Sequence, residues 1–338
     1  MTSRTWNGSC RLAGMVTTAA RAGWQWTETR RIAALGEPLL ELQPAEDGGV
    51  RLAFGGDVAN SMICLSRILG AGTRQISLVT ALGDSSYSAW LREQLTREGI
   101  HVMEPPIAGE PGIYGLPLGP MHRPGFSYWR ADSAARACLQ SADLVRFEDL
   151  LGDTQLLLVT GITLALCSNA SFEHLCRWVD RHRDGCRVVF DCNFRRRLWD
   201  SEAQARERIG AFERLAAVIA TGEEDEKALW GATGTAQIIE RVSRLSAEYL
   251  IRGGPEGCWV GSGRECQHVP TQPVTVLGDT AGAGDSHLAG YMAARISGYG
   301  RVDAAAYANK AAAVIVSQRG SVPKDSATFP SLPTRTPA

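Results

Sequence analysis

A glycine-rich loop followed by an acidic residue stands near the carboxyl end of the chain, in LGDTAGAGDSHLAGYMAA, residues 277–294. Gly282 and Gly284 come directly before a predicted helix, and glycine lets backbone N–H groups converge on a ligand without a Cβ in the way. The start of a helix adds unpaired N–H donors and about half a positive charge. Residues 281–284 therefore form a predicted anion hole, suited to a phosphoryl group in transfer.

Asp285 lies in the first turn of that predicted helix, which makes it the first candidate for a chemical role. The alternative is that Asp285 only caps the helix, a position for which aspartate is well suited. The loop is not a Walker A motif, because no G-K-[ST] sequence follows it.

The charge balance of the 338 residues argues against a nucleic-acid partner. Lys and Arg number 35 and Asp and Glu 36, so the formal net charge is −1, whereas nucleic-acid binding needs a basic surface. No apolar run approaches the roughly 18 residues of a membrane helix, so no membrane partner is expected.

The nine cysteines contain no C-x-x-C pair and the six histidines form no cluster with them. This argues against a structural metal and favours buried thiols in a reducing cytoplasm.

Apolar runs and helical periodicities alternate along most of the chain, which predicts β-α-β units and a mostly parallel sheet with helices on both faces. The predicted strands are 31–35, 76–80, 155–160, 187–191, 216–220, 249–251 and 258–260. The predicted helices are 58–69, 86–98, 171–183, 223–230, 235–246, 284–296 and 304–317. Ligands of such folds bind at the carboxyl ends of the strands, so the residues just after strands are the site candidates.

Two segments, about 39–56 and 111–131, break this alternation with period-2 patterns and Gly/Pro turns. They predict a small β-sheet that covers the active-site mouth, a partner subunit, or both. Residues 1–30 are rich in arginine and poor in acids, which fits a targeting leader only weakly. We expect them to be a disordered extension; the alternative is a start codon placed too early, with Met15 as another start. The proline-rich tail, 323–338, is also expected to be disordered, which leaves one domain over 31–322.

Several motifs, in one order along the chain, resemble those of the ribokinase-like (PfkB family) carbohydrate kinases. DTAGAGD resembles the family's D-T-x-G-A-G-D signature, and FGGDVANSMICLSRILG (54–70) is similar to its G-G-x-x-x-N motif. VTALGDSSYSAWLREQLTREGI (79–100), IRGGPEGCWV (251–260) and ANKAAAVIVSQRGS (308–321) also look like family segments. The resemblance covers about residues 31–323. It implies a three-layer α/β/α domain with a mostly parallel central sheet, a small β lid, and ATP with Mg²⁺ (a monovalent cation is possible).

The resemblance also assigns roles around the phosphates. Asp285 would accept the proton of the substrate hydroxyl, and the N–H groups of the loop would hold the charge of the transferring group. The loop residues of this anion hole that match the signature are Gly282, Ala283 and Gly284.

The nucleotide side departs from the family pattern in three places. The metal-linked N-x-x-E motif falls at Gly222-x-x-Asp225, without its asparagine and with aspartate for glutamate. Asp225 or Glu224 would help to hold a metal ion that is bound to the nucleotide phosphates. The alternative is that these acids only form the solvated, acidic first turn of a helix. Arg252 stands where the family has lysine, and His287 replaces an aromatic residue; we expect neither to touch the chemistry. The remaining nucleotide candidates are Gly254, Gly257 and Asn309, of which Asn309 either faces adenine or only packs in its helix.

Four further segments are similar to one branch of the family, the 2-keto-3-deoxygluconate kinases. They are SYWRADSAA (127–135), LVTGITLALCS (158–168), FDCNFRRRLW (190–199) and DEKALWG (225–231). The branch implies an acidic sugar, a 2-keto-3-deoxy-aldonate, phosphorylated at its terminal hydroxyl. A carboxylate is best bound by the planar guanidinium of arginine.

The matching positions imply that Arg130 and Arg195 contact that carboxylate, while Arg196 and Arg197 are expected at the surface. Tyr114 and Tyr128 would stand over the sugar or pack within the lid. The candidates for the sugar hydroxyls are Gly55, Gly56, Asp57 and Asn60, with helix capping as the alternative for the aspartate.

The exposed β lid suggests a homodimer. Rival functions remain: a kinase for the galactonate epimer, fructose or ribose, or a non-catalytic sugar or nucleotide sensor on the same fold.

Overall fold

The computed structural model describes residues 25–332 apart from 46, 71, 118–124, 142–144, 246, 276–279, 319 and 323–328. Its main body is a nine-stranded sheet in the order β13-β12-β11-β10-β9-β8-β1-β4-β5. All neighbours from β11 to β5 pair in parallel, and only β12 and β13 pair antiparallel. The strand order reverses beside β1, so this is the point where crevices form at the carboxyl ends of the strands.

The strands are β1 Arg31–Leu35, β2 Leu39–Pro44, β3 Val50–Gly55, β4 Gln75–Val79, β5 Ile100–Met103, β6 Gly112–Gly115, β7 Ser127–Trp129, β8 Leu156–Thr160, β9 Arg187–Asp191, β10 Val218–Gly222, β11 Glu248–Arg252, β12 Cys258–Ser262 and β13 Glu265–Val269. The helices are α1 Asp57–Leu69, α2 Ser86–Arg97, α3 Ala134–Gln140, α4 Val145–Leu151, α5 Gly161–Leu166, α6 Asn169–His182, α7 Glu202–Glu213, α8 Glu223–Trp230, α9 Thr235–Val242, α10 Ala283–Ile296 and α11 Arg301–Val316.

Two apolar cores lie on opposite faces of the large sheet, because successive side chains of a strand point to opposite faces. In β1, Ile32 and Ala34 join the core packed by α1, α2, α10 and α11, whereas Ala33 and Leu35 join the core packed by α6 and α7. The predicted α/β fold with helices on both faces of a mostly parallel sheet is confirmed.

A second sheet of four strands, in the order β3-β2-β6-β7, forms from the two segments with period-2 patterns. We call it the small sheet. β2 pairs antiparallel with β3 and parallel with β6, and β6 pairs antiparallel with β7. Its connection to the large sheet is short, since β1 and β2 are joined through residues 36–38. The small sheet therefore stands directly beside the carboxyl end of β1.

Both ends of the described part of the chain contribute more to the core than the sequence predicts. Trp26 starts a 3₁₀ turn, is 7% exposed, and lies under the Arg295 guanidinium at 5.4 Å. At the other end, Phe329 is 8% exposed in the core, and Pro330 accepts a hydrogen bond from Tyr307 Oη at 2.6 Å. The expectation of disorder is thus wrong for residues 25–30 and 329–332. The other residues expected to be disordered lie outside the described part.

Helices and thiols complete the description of the body. None of the described helices is long and apolar enough to cross a membrane. The eight described cysteines are all free thiols, seven of them buried and Cys266 partly exposed, while Cys10 lies outside the described residues.

Candidate active site

One large cavity, with a volume of about 1870 Å³, lies where the strand ends of the large sheet face the small sheet. The N-termini of α1, α8 and α10 open into it, and so do the loops that follow β9 and β11. Its lining includes every described residue that the sequence analysis named as a site candidate, apart from Gly55. The fold thus gathers candidates from distant parts of the chain.

The glycine loop starts α10 in the geometry of an anion hole. Gly282 is the N-cap at φ 77°, and a Cβ there would lie 2.4 Å from the carbonyl oxygen of Ser321. Ala283 donates its N–H to Thr280 O at 3.1 Å. Among the described residues, the N–H groups of Gly284 and Asp285 have no protein partner, which leaves them for a ligand. Asp279, the first residue of the signature, lies outside the described part.

Asp285 projects from this first turn and does not cap the helix, since Gly282 occupies the N-cap without a side-chain bond. Asn60 Nδ2 of α1 donates to Asp285 Oδ2 at 2.9 Å. Burial raises the pKa of Asp285 to about 7, with Asp57 and Asp191 adding to the rise; Asn60 and Arg252 oppose it. The side chain therefore changes charge near neutral pH, in the range suited to proton transfer.

Asp57 is also held by partners rather than by a capping role, because Gly56 is the N-cap of α1. Asp57 Oδ2 accepts from Thr160 Oγ1 at 2.6 Å and from Asn193 Nδ2 at 3.2 Å. Burial raises its pKa. Gly56 sits at φ 110° with Glu37 O 2.8 Å from where a Cβ would stand, so only glycine fits between β3 and α1.

Arg252, at the end of β11, forms a bidentate ion pair with Asp191, at the end of β9. The two contacts measure 2.8 Å and 2.5 Å, and Nη1 also donates to Gly284 O at 3.2 Å. Asp191 is 2% exposed. The expectation that Arg252 stays away from the chemistry is therefore wrong: its guanidinium touches the anion-hole loop.

Asp225, in the first turn of α8, lines the same cavity as the start of α10. Its Oδ1 accepts from the N–H of Phe194 at 3.1 Å and lies 3.6 Å from Arg195 Nη1. Burial raises the pKa of Asp225 to about 6, against the lowering effect of Arg252 and Arg195. Glu224 lines the same cavity.

Asn309 of α11 ties together two loops and a buried histidine. Its Nδ2 donates to Val269 O at 3.0 Å and Pro270 O at 3.3 Å, so its Oδ1 accepts from His287 Nε2 at 3.0 Å. Burial lowers the pKa of His287 to about 3, which keeps the ring neutral. In the neighbouring turn, Gly257 at φ 95° would place a Cβ 2.2 Å from Val269 O. Gly254 lines the cavity beside it.

The small sheet contributes a stack of tyrosines to the cavity. Tyr114 and Tyr128 stack with centroids 6.0 Å apart, and Tyr114 Oη donates to Glu41 Oε2 at 2.5 Å. A Cβ at Gly55 would stand 2.6 Å from Tyr114 Oη, so the absence of a side chain at Gly55 leaves room for the tyrosine hydroxyl. Arg130 lines the cavity, but its guanidinium is already paired with Glu37, which is 2% exposed.

The sequence of this chain matches the model of the pfkB family of carbohydrate kinases over residues 30–327. The chain belongs to this family. It is therefore a sugar kinase, and the ribokinase-like fold with its additional sheet of four strands is the fold of the family.

Curated relatives resemble the kinase over most of its length. The 2-dehydro-3-deoxygluconokinase of Dickeya dadantii is 30% identical over 304 residues, which cover 87% of this chain and 97% of the relative. The enzyme of that name from Escherichia coli strain K12 is 30% identical over 305 residues, with the same coverage. A fructokinase from Escherichia coli is 24% identical over 269 residues, covering 78% of this chain and 83% of its own.

Solved structures agree with the fold of the kinase. A 2-dehydro-3-deoxygluconokinase from Thermotoga maritima matches with a TM-score of 0.75 at 21% identity, covering 87% of this chain and 94% of its own. A fructokinase from Vibrio cholerae, solved with fructose, ADP and calcium ion, matches with 0.73 at 19% identity and the same coverage.

The carboxylates that line the cavity of the kinase fit a metal ion that is bound mainly by the substrate phosphates. Among the described residues, no group of three or more His, Cys, Asp or Glu side chains is close enough to hold a metal ion unaided. Asp225 and Glu224 nevertheless offer carboxylates at the cavity, and Mg²⁺ commonly takes one or two carboxylates together with substrate phosphates.

Four contributors to the site of the kinase escaped the sequence analysis: Thr160, Asp191, Asn193 and Arg197. The first three come at or just after the ends of β8 and β9, so their place after predicted strands was the available signal. Arg197 was expected at the surface, but it lines the cavity with its guanidinium 4.4 Å from the centre of the Tyr128 ring. Arg196 lines no part of that cavity and lies 3.5 Å from Glu202.

Proposed function

We propose that this kinase transfers the terminal phosphoryl group of ATP to the terminal hydroxyl of 2-keto-3-deoxy-D-gluconate, giving 2-keto-3-deoxy-6-phosphogluconate. The observation that carries the proposal is a cavity lined both by Asp285 with the anion-hole loop and by the half-exposed guanidinium group of Arg195. A sugar acid has one group for each, a primary hydroxyl for Asp285 and a carboxylate for the arginine. The relatives named 2-dehydro-3-deoxygluconokinase support this substrate.

In the proposed reaction, the hydroxyl oxygen attacks the terminal phosphorus and the bond from that phosphorus to the bridging oxygen of ADP breaks. The hydroxyl proton passes to Asp285 as the new O–P bond forms, so the carboxylate need not remove it beforehand. Asn60 fixes the carboxylate through Oδ2. The N–H groups of Gly284 and Asp285 stabilise the negative charge on the transferring group.

Mg²⁺, when bound through the phosphates, would neutralise their charge, and Asp225 or Glu224 would hold it. We assign the nucleotide to the side formed by Arg252, Gly254, Gly257 and Asn309. Asn309 acts there by holding the Val269–Pro270 backbone and His287 in place.

The sugar would lie between α1 and the small sheet. Asp57 and Asn60 would bind its hydroxyls, with Gly55 and Gly56 allowing close approach. Tyr114 and Tyr128 would cover it. Arg130 acts on this site indirectly, since its pairing with Glu37 joins the residue after β7 to the turn after β1.

The test is a coupled assay of the full chain with ATP and a panel of sugars and sugar acids, followed by NMR of the product. The expected product carries phosphorus on the terminal carbon of 2-keto-3-deoxygluconate. Turnover of fructose, ribose or the galactonate epimer in its place would contradict the proposed substrate. Binding of sugars with no turnover of any would indicate a sensor and contradict the proposed reaction.

We also propose that two copies of the chain associate through their small sheets. Trp129 is 58% and Val50 52% exposed, on the outer strands β7 and β3. Exposed large apolar side chains on a sheet are typical of an interface. Trp129→Ser should convert a dimer into a monomer in analytical ultracentrifugation; a wild-type monomer would contradict the proposal.

The free thiols support a cytoplasmic location.

A further inference from the structure

The turn after β9 displays three consecutive arginines between two buried aromatic anchors. Phe194 is 6% and Trp199 4% exposed, so both ends of the segment are fixed in the core. The chain enters the turn through Asn193 at φ 32°, and Gly161 makes room for it, since a Cβ there would stand 2.0 Å from Cys192 O. The arginines between these anchors are therefore presented in defined directions.

The three side chains of this turn go to different places. Arg195 reaches toward α8, where its Nη1 lies 3.6 Å from Asp225. Arg196 lies beside Glu202 at 3.5 Å and donates to Trp199 O at 3.1 Å. Arg197 instead extends over Tyr128 of the small sheet, on the sugar side of the cavity.

The charge of Arg197 is unshared. Arg130, Arg195 and Arg252 all line the cavity, but each has an acidic partner, Glu37, Asp225 and Asp191 respectively. Within the described part of the chain, Arg197 forms no ion pair and no hydrogen bond. The other unpaired arginine of the lining, Arg51, is bound to Gln43 within the small sheet.

The acidity of the cavity makes such a cation necessary for an anionic sugar. Asp57 and Asp285 line the sugar side, and within the described part of the chain neither forms an ion pair with a cationic side chain. A second carboxylate entering beside them is repelled unless a positive charge lies at its far end. The contacts from Arg197 to Tyr128, and from Tyr128 to Tyr114 beside Gly55, place a cation at that far end.

We propose that Arg197 is a specificity-determining residue, which binds the carboxylate of the acidic sugar while its guanidinium stacks on Tyr128. The inference rests on the proposed function, because it assumes a carboxylate on the substrate. A guanidinium held flat by an aromatic ring keeps its N–H edge free for a carboxylate. Arg197 thereby joins the body to the small sheet when the sugar is bound.

The test compares Arg197→Ala, Arg197→Lys and Arg196→Ala in the full chain. Arg196→Ala is the matched control, because it removes the same charge from the same turn at a position outside the cavity. We expect Arg197→Ala to raise the KM for 2-keto-3-deoxygluconate at least tenfold, with the KM for ATP changed less than twofold. Arg197→Lys should fall between wild type and Arg197→Ala, and Arg196→Ala should match wild type.

The dependence of the sugar KM on ionic strength distinguishes carboxylate binding by Arg197 from a purely structural role. Raising a tetramethylammonium salt should increase the sugar KM of the wild type and of Arg196→Ala more steeply than that of Arg197→Ala, because salt screens exposed charges. Equal sugar KM values for Arg197→Ala and Arg196→Ala, or equal salt slopes, would overturn the inference alone. A wild type that does not phosphorylate the sugar acid would overturn the proposed function itself.

Discussion

The carboxyl edge of the large sheet and the small sheet form the two walls of one cavity, and they differ in how much of their side-chain surface is buried and paired. At the sheet edge, Asp191 is paired with Arg252, and Asp285 is held by Asn60. On the small sheet, Tyr128 is 38% and Trp129 58% exposed. The first wall is preorganised for chemistry, and the second keeps contact area open for ligands and partners. Changes to the buried groups of the first should therefore alter kcat, whereas changes around the second, or to a half-exposed side chain such as Arg195, should alter KM.

Asp285→Asn tests the first wall most severely. We expect kcat to fall about 10³-fold, because the carboxylate that accepts the proton is lost. Sugar binding, measured by calorimetry, should persist. A variant with full activity would show that the proton goes elsewhere.

Gly282→Ala tests the backbone of the anion hole. A side chain is strained at φ 77° and also meets Ser321 O, so we expect unfolding free energy to drop by more than about 2 kcal/mol and kcat to fall at least about tenfold. The control is Gly263→Ala, at φ 55° with open space around it, which should cost about 1 kcal/mol and leave kcat unchanged. If chemical denaturation shows the same loss of unfolding free energy for both variants, the close approach of Gly282 to Ser321 does not contribute to stability.

The pH dependence of the reaction tests the environment of Asp285. Since burial raises the pKa of Asp285 to about 7, and the reaction needs the ionised form, kcat/KM should fall as pH drops through about 7, approaching tenfold per pH unit. A profile that is flat between pH 6 and 8 would contradict this assignment.

The same raised pKa has a consequence for stability. A carboxyl whose pKa is higher in the folded state favours folding below its unfolded pKa of about 4, and this contribution is lost as pH rises through about 7. Asp285→Asn should therefore be more stable than wild type at pH 8, with no such gain at pH 4, in thermal unfolding. A gain of equal size at both pH values would indicate another cause.

Arg195→Ala should produce the smallest effect of the series and should act on KM. Its side chain is 48% exposed, so we expect the sugar KM to rise about tenfold while nucleotide binding stays intact. The control is again Arg196→Ala. An unchanged sugar KM would show that Arg195 does not bind the substrate carboxylate. Arg197 would then be the remaining candidate for that contact.

The sequence could predict those parts of the molecule that depend on local patterns. β1 and β9 have the predicted bounds because each is a short, continuous apolar run. α7 escaped, because its few buried apolar residues, such as Ile209 and Phe212, stand among charged residues, one of which, Arg208, is itself buried against Leu164 O and Cys167 O. Such partners lie far away along the chain, so no local pattern shows them.

The candidate site divides in the same way. Asp285 and its glycine loop stand out because phosphate chemistry requires those residue types at that spacing. The partners of Arg130 and Arg252 could not be predicted, since Glu37, in the turn after β1, and Asp191, at the end of β9, are distant along the chain. The direction of Arg197 depends on the packing of Phe194 and Trp199, which a run of three arginines does not show.

The most direct measurement of the central claim is a competition in one tube, with the wild-type chain, limiting ATP, and equal concentrations of 2-keto-3-deoxygluconate and fructose. A charge-assisted contact between guanidinium and carboxylate contributes about 1.5–3 kcal/mol, which corresponds to a preference of about tenfold or more. We therefore expect at least about nine-tenths of the phosphate to appear on the sugar acid. An equal division, or a majority on fructose, would contradict the claim that the cavity recognises a carboxylate.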